Sequence, residues 1–408
     1  MAYERLEWES KLSDIENAGL LRSRRTIASS QGPSVSLSGF LGRGARTPSH
    51  SRFRNFASND YLGFADHPQL KEAALDALNK FGLGSGSSDV VCGHFEPHDQ
   101  LEQALAKFTG RDKALLFSSG YMANLAVSNA LCDPKSLILQ DKLNHASLID
   151  GAKLSGARSQ RYLHSSIESL DSYLTKFSTN GTYGQKLIIT DGVFSMDGDV
   201  APLGELAKLA DQFSALLAVD DAHGLGVLGE GGRGSVAEAG LSQEQCPLLI
   251  GTFGKAFGTF GAFVAGPKAL MEVFEQRARS HIYTTALPPA IAAATNASLH
   301  LVEQAGEQRA HLQSLIEAFH KELAGDGFEL LQSRTAIQGV VIGANESVMR
   351  TARFLEESGL LVGAIRPPTV SPGSSRLRIT LTATHTMDDL DCLVTALRKA
   401  RDLGCLSE

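Results

Sequence analysis

Along the 408-residue chain, short apolar runs alternate with stretches whose apolar positions recur at helical spacing. ALLF (114–117), LILQ (137–140), LIIT (187–190), LLAV (216–219) and LLIGT (248–252) are almost unbroken by polar residues. Runs of this length are expected of strands buried on both faces of a sheet. LKEAALDALNKFG (70–82) places Leu70, Ala74, Ala77, Leu78 and Phe81 on one helical face and closes on Gly82. PLGELAKLADQF (202–213) opens with a proline, which suits a first helical turn. Strand–helix alternation at this spacing predicts an α/β fold, a mainly parallel sheet with helices on both faces. Residues 3–28, with Leu6, Ile15 and Leu20 among charges, read as an amphipathic helical arm, and the Ser/Gly/Arg-rich 29–51 as a loop. From about residue 296 a long helical pattern gives way to strands and a final helix. The expected division is an arm and loop over 1–57, a large domain over 58–295 and a smaller C-terminal α/β domain over 296–408.

The polar residues that follow the apolar runs carry the functional signal. ALLF runs into SSGYMAN (118–124), LIIT into DGVFSMDG (191–198), LLAV into DDAH (220–223), and LLIGT into FGK (253–255). Ligands of open α/β sheets bind outside the carboxyl ends of the strands. Hydroxyls, carboxylates, a histidine and a lysine at four strand ends therefore point to one site built from four loops. In GTFGKAFGTFGAF (251–263), Lys255 is the single charge among glycines and phenylalanines. An ammonium is expensive to strip of water, so a phosphate-gripping loop, a solvated loop lysine and a lysine held for covalent chemistry stand as competing readings.

Composition narrows the field. The net charge of −7, with 20% charged residues and no long basic run, argues against a nucleic-acid surface. The five cysteines are scattered and lack paired spacing, as expected of a reducing compartment without a disulfide frame or thiolate zinc site. No apolar run reaches membrane-spanning length and the first residues carry no apolar signal core, so a cytoplasmic protein without membrane partners is expected. The 40 glycines cluster at 82–86, 224–234 and 251–261, which suggests loops gathered around a ligand.

Several motifs fail on spacing. Two residues, not four, separate Gly251 from Gly254-Lys255, and Ala256 stands where a phosphate loop needs a hydroxyl. GLGVLG (224–229) matches the dinucleotide pattern, but EGGRGS follows it instead of an apolar helix, which counts against a nicotinamide dehydrogenase. HFEPH (94–98) carries Pro97 between its histidines, so neither a zincin helix nor any other metal site is expected. The glycine-bearing turn at 118–120 opens a helix, a good cradle for a phosphate dianion. Lysine, carboxylate, histidine and phosphate cradle together are what pyridoxal 5′-phosphate (PLP) requires.

SNDYLG (58–63), GSGSSDVVCG (84–93), HDQLE (98–102), NHAS (144–147), DGVFSMDGD (191–199), VDDAHGLGVLGEGGRGS (219–235) and TFGKAFGTFGA (252–262) resemble the α-oxoamine synthases, in order over about residues 55–390. These are fold-type I PLP-dependent transferases that join an amino acid to an acyl thioester with loss of CO2. AIRPPTV (364–370) and SRLRITLTATH (375–385) are most similar to the member that condenses L-alanine with a pimeloyl thioester. The alternatives are a sister synthase using glycine and acetyl-CoA and, from another class, a PLP aminotransferase. The resemblance implies a homodimer with interfacial active sites. It implies that Lys255 bonds the cofactor and acts as base, Asp220 pairs with the ring nitrogen, and His223 and Ser195 meet the phenolic oxygen. His145 stacks on the ring, and Ser119, Gly120, Tyr121 and Thr252 contact cofactor or phosphate, with Thr284 or Thr285 from the partner subunit. Arg366 clamps the amino-acid carboxylate, Thr369 and Asn59 line the same pocket, and Arg22 helps bind the acyl substrate.

Overall fold

The computed structural model describes residues 5–22, 24–38, 40–41, 45–46, 52–180 and 183–406. Residues 3–4 and 23 of the expected arm and most of 39–51 in the expected loop lie outside these residues. Contacts divide the chain into two units, one of Asn59–Ser195 with Asp199–Ala310, the other of Met1–Ser58, Met196–Gly198 and His311–Glu408.

The larger unit is built on a seven-stranded sheet. Its strands lie in the order Lys113–Phe117, Ala262–Gly266, Leu248–Thr252, Leu216–Asp220, Lys186–Asp191, Leu137–Asp141 and Arg158–Tyr162. Ala262–Gly266 runs antiparallel to both neighbours, and the remaining pairs are parallel. All five apolar runs are strands, and their residues alternate between two cores. Leu115, Ile138, Ile189, Ala218 and Ile250 face one side, while Leu139, Ile188, Leu217, Val219 and Leu249 face the other. Burial of each large side chain contributes about 1.5–3 kcal/mol, which is why both faces of these strands are apolar. Two strands were not legible in the sequence. Arg158–Tyr162 (RSQRY) is an edge strand, largely exposed, and needs little hydrophobicity. Ala262–Gly266 follows the lysine loop without a break in the apolar pattern.

Helix Pro68–Phe81 ends as expected, with Gly82 at φ 83°, although Leu78 is exposed in this chain while Leu70 and Ala77 are buried. Helix Leu203–Gln212 starts directly after Pro202. Helix Pro289–Gln304 packs on Pro68–Phe81 and Glu96–Thr109 within the same unit.

The smaller unit holds a second sheet, ordered Thr26–Ile27, Ser34–Ser38, Arg52–Phe56, Leu360–Ile365, Ser375–Thr380, Ile337–Gly343 and Glu329–Leu330. Here two expectations are corrected. Among its described residues the arm is helical over Arg5–Asn17 and not beyond, because Gly19 (φ 66°) turns the chain and closes the helix end on Glu16 and Ile15. The segment read as loop contains the strand Ser34–Ser38, whose Val35 and Leu37 pack on Phe53 and Leu361 while its serines face away. That is a period-two pattern masked by hydroxyl composition.

Candidate active site

Because Lys113–Phe117 and Leu248–Thr252 both pair antiparallel with Ala262–Gly266, they run parallel to each other. The carboxyl ends of the parallel strands therefore lie along one edge of the sheet, and each delivers a polar loop there.

The first loop leads into helix Gly120–Leu131. Ser119 caps it, its Oγ accepting from Met122 N at 3.3 Å, which leaves the first-turn N–H groups of Gly120 and Tyr121 outside the helical ladder. A Cβ on Gly120 would lie 3.7 Å from Thr252 Cβ, so this helix start adjoins the lysine loop. A twelve-residue helix ending there offers a site for a phosphate. Tyr121 is exposed and donates to Asp150 Oδ2 at 2.5 Å, which raises its phenol above the ordinary range.

Asp220 closes strand Leu216–Asp220 and is 6% exposed. Its Oδ2 accepts from Asn124 Nδ2 at 2.6 Å and its Oδ1 from Ala222 N at 3.0 Å. His223 is buried, with Nδ1 2.5 Å from the Tyr61 hydroxyl, and that hydroxyl lies 3.4 Å from Asn59 Oδ1. His145 is exposed and caps helix Ala146–Leu154. Desolvation of its ring lowers its pKa first, with Asp220 pulling up and Lys255 pushing down, so these three groups share one field. Asp191 accepts from His145 N at 2.7 Å, and burial, then the charge of Asp220, holds its carboxyl well above the usual range. Ser195 is half-buried a few residues on.

Lys255 is half-buried on a loop closed by its own hydrogen bonds: Phe253 N to Gly261 O (2.9 Å), Thr259 N to Phe253 O (2.8 Å) and Thr252 Oγ1 to Gly261 O (3.0 Å). The phenylalanines divide. Phe253 and Phe257 are fully buried against Phe263 and Phe108 and anchor the loop from beneath, whereas Phe260 is exposed. A Cβ on Gly258 (φ 66°) would meet Ala65 N at 2.4 Å, so the loop can seat this closely only with glycine there.

Two of the 224–234 glycines answer to a different need. Their neighbour is Asp221, fully buried, accepting from Ser235 N and Oγ at 2.7 Å each, with burial pushing its pKa up to about 7. A Cβ on Gly224 or Gly234 would lie 2.1 or 2.0 Å from that carboxylate. Gly226 instead seats against Ala256 beside the lysine, where a Cβ would lie 2.5 Å from the Ala256 Cβ.

Thr284 and Thr285 border a cavity of about 10 Å³ with Ser118, His98, Asp89 and His281, and Ser118 Oγ donates to Thr285 O at 3.5 Å. HFEPH is structural. Pro97 sits in the first turn of helix Glu96–Thr109, His98 bonds Phe95 N and Leu287 O, and His94 pairs with Asp89 at 3.0 Å. In the other unit Arg22, Arg366 and Thr369 line one cavity of about 90 Å³. The Arg366 guanidinium donates to Gly19 O and Leu21 O, and Thr369 N donates to Arg366 O at 3.1 Å. Burial first, then Arg22, lowers the Arg366 pKa, which places two cations within reach of one anion.

The larger unit thus carries Asn59, Ser119, Gly120, Tyr121, His145, Ser195, Asp220, His223, Thr252, Lys255, Thr284 and Thr285. The sequence reading missed Tyr61, Asn124 and Ser147. All three lie inside quoted motifs, yet a polar residue in a helical pattern reads as solvent-facing until a neighbour is known. The donor set fits PLP: a buried carboxylate bonded by amide N–H groups, an exposed imidazole beside it, a lysine in the same field and a helix start next to the lysine loop.

The sequence profile of the family described as aminotransferase class I and II matches residues 52–397. The chain is 51% identical over 397 residues to the 8-amino-7-oxononanoate synthase of Marinobacter nauticus (97% of each chain covered). It is 48% identical to that of Methylococcus capsulatus (96% of this chain, 97% of the other). Among solved structures, a serine palmitoyltransferase from S. paucimobilis with bound PLP-myriocin aldimine superposes with TM-score 0.89 at 30% identity over 98% of each chain. The 8-amino-7-oxononanoate synthase of Francisella tularensis gives TM-score 0.76 at 33% identity, over 86% of this chain and 98% of that one. The chain belongs to the aminotransferase class I and II family and, within it, to the 8-amino-7-oxononanoate synthases.

Proposed function

We propose that the chain condenses L-alanine with a pimeloyl thioester, of CoA or of a carrier protein, releasing CO2 and the thiol and forming 8-amino-7-oxononanoate for biotin synthesis. The observation that carries this reading is the gathering of His145, Asp220 and Lys255 into one field at a sheet edge, in a chain half identical to synthases of that name. PLP supplies a reactive aldehyde and a ring that accepts the electron pair left at the amino-acid α-carbon.

The chain's own residues hold and orient. Asp220 would present its buried carboxylate to the ring nitrogen and favour a proton there. His145 would cover the ring, and His223 with Ser195 would meet the phenolic oxygen. The N–H groups at Ser119–Tyr121 and the Thr252 hydroxyl would hold the phosphate. Lys255 would hold the cofactor's aldehyde carbon, and its amine would serve as the base for the amino-acid α-proton. In the smaller unit Arg366 would take the alanine carboxylate in fork geometry with Thr369 beside it, and Arg22 would meet the acyl substrate; in the larger unit Asn59 is assigned to the amino-acid substrate.

Thr284 and Thr285 are assigned to the phosphate of the partner subunit in a homodimer. Support comes from the exposed apolar residues on the segments around them: Tyr283 (71%), Val91 (76%) and Leu83 (78%). Patches of that kind mark association surfaces. A cytoplasmic setting is inferred from the five free cysteines, and no described helix is long and apolar enough to cross a membrane.

Thiol release from purified holoprotein tests the reading. Release with L-alanine and pimeloyl-CoA, but not with glycine and acetyl-CoA, is expected. The reverse preference would move the chain to a sister synthase. Pyridoxamine phosphate accumulating with alanine alone would indicate an aminotransferase.

A further inference from the structure

Two groups assigned to different parts of the cofactor, Asp220 and His145, are tied by side chains that the reading above leaves without a task. Asn124 Nδ2 donates to Asp220 Oδ2 at 2.6 Å and to Ser147 Oγ at 2.9 Å. Ser147 Oγ lies 2.6 Å from His145 Nδ1, and Ser147 N donates to the same nitrogen at 3.3 Å. Asn124 is 1% exposed and Ser147 0%.

Directions along the chain are forced. A main-chain N–H can only donate, so His145 Nδ1 is an acceptor and the ring proton sits on Nε2. The Ser147 hydroxyl therefore donates to Nδ1 and uses its lone pairs for Asn124. Turning the Asn124 amide over would set its oxygen against the Asp220 carboxylate, so both amide hydrogens are committed. Its Oδ1 is left buried without a partner, a cost that an apolar side chain would avoid. The helices that carry the pair approach closely at Gly151, whose absent Cβ would lie 2.8 Å from Asn124 O.

We infer that Asn124 and Ser147 are positioning residues: a buried relay, Asp220–Asn124–Ser147–His145, that sets the carboxylate and the imidazole relative to each other and holds His145 as its neutral Nε2–H tautomer. The inference rests on the cofactor reading given above. It adds that the two cofactor contacts are one hydrogen-bonded unit rather than two independent residues. The charged groups facing His145 are Asp220, Lys255 and Asp150, and the Asp191 carboxyl accepts from its main-chain N–H. Losing the Ser147 donor therefore makes protonation at Nδ1 easier.

Asn124→Ala, Ser147→Ala and the double variant are compared with wild type. Reported quantities are PLP affinity of the cofactor-free protein by absorbance, the His145 tautomer by 15N NMR, and the pH profile of kcat. PLP binding is expected to weaken roughly 10- to 100-fold in Asn124→Ala and about 3- to 10-fold in Ser147→Ala. The double variant should be little worse than Asn124→Ala, because a broken relay cannot be broken twice. Ser147→Ala removes the hydroxyl donor but keeps the main-chain N–H on Nδ1, so it should weaken the Nε2–H preference and shift the acid limb of kcat to higher pH. Wild-type tautomer, pH profile and PLP affinity in both single variants overturn the relay while the cofactor reading stands. Additive losses overturn the claim that the four residues act as one unit. A wild-type protein that binds no PLP overturns both.

Discussion

Glu102 is a half-buried glutamate outside the active site whose titration has a clear sign. It accepts from Leu116 N at 3.1 Å, and burial raises its pKa from 4.5 to about 8, against the opposing pull of His94. A raised acid binds its proton more tightly in the native state. Its contribution to stability is thus complete below about pH 4.5 and is lost as pH rises toward about 8. Glu102→Gln keeps an acceptor for Leu116 N and removes the titration. Its thermal midpoint should fall less than that of wild type across this window; identical slopes would reject the assignment. Nothing in HDQLE marks this glutamate as half-buried rather than as one more charge on a helix, since its neighbours come from distant segments. Lys255 was legible for the opposite reason, because its own loop lacks every other charge.

Among elements, glycines separate local from tertiary causes. Gly204, in helix Leu203–Gln212, would meet nothing within 4 Å if it gained a Cβ, and its φ is ordinary. Gly204→Ala should therefore stabilise the protein by about 0.5 kcal/mol through helix propensity and lost unfolded-state freedom. Gly151 lies in a helix too, but its Cβ would strike Asn124 O at 2.8 Å. Gly151→Ala should cost about 1–3 kcal/mol by overpacking and weaken PLP binding by moving Asn124. Thermal melts and cofactor titrations check both, and a stabilised Gly151→Ala would show that the helices part without penalty. The sequence presents the two glycines alike. Strands divide in the same way: LIIT and LLAV announced themselves because both faces are buried, whereas RSQRY at an edge and SVSLS with one polar face did not.

At the scale of the whole molecule, the proposed sharing of the active site between subunits predicts complementation. A Lys255→Ala chain and a Thr284→Val/Thr285→Val chain should each be nearly inactive alone. Co-assembled, they form heterodimers in which one site keeps the lysine of one chain and the threonines of the other. Recovered thiol release in the mixture is the expected result, and none above the separate homodimers would confine each site to one chain. By itself the sequence determined the α/β class, the five apolar strands and the polar loops after them, because burial on both faces and strand-end chemistry are written in local composition. Whether a polar side chain such as Asn124, Ser147 or Tyr61 meets water or a site residue was decided only by tertiary structure, as was the packing of Gly224 and Gly234 against Asp221. The physical reason is that a hydrogen bond between helices, or a carboxylate packed against glycine, depends on distances between segments that share no local pattern.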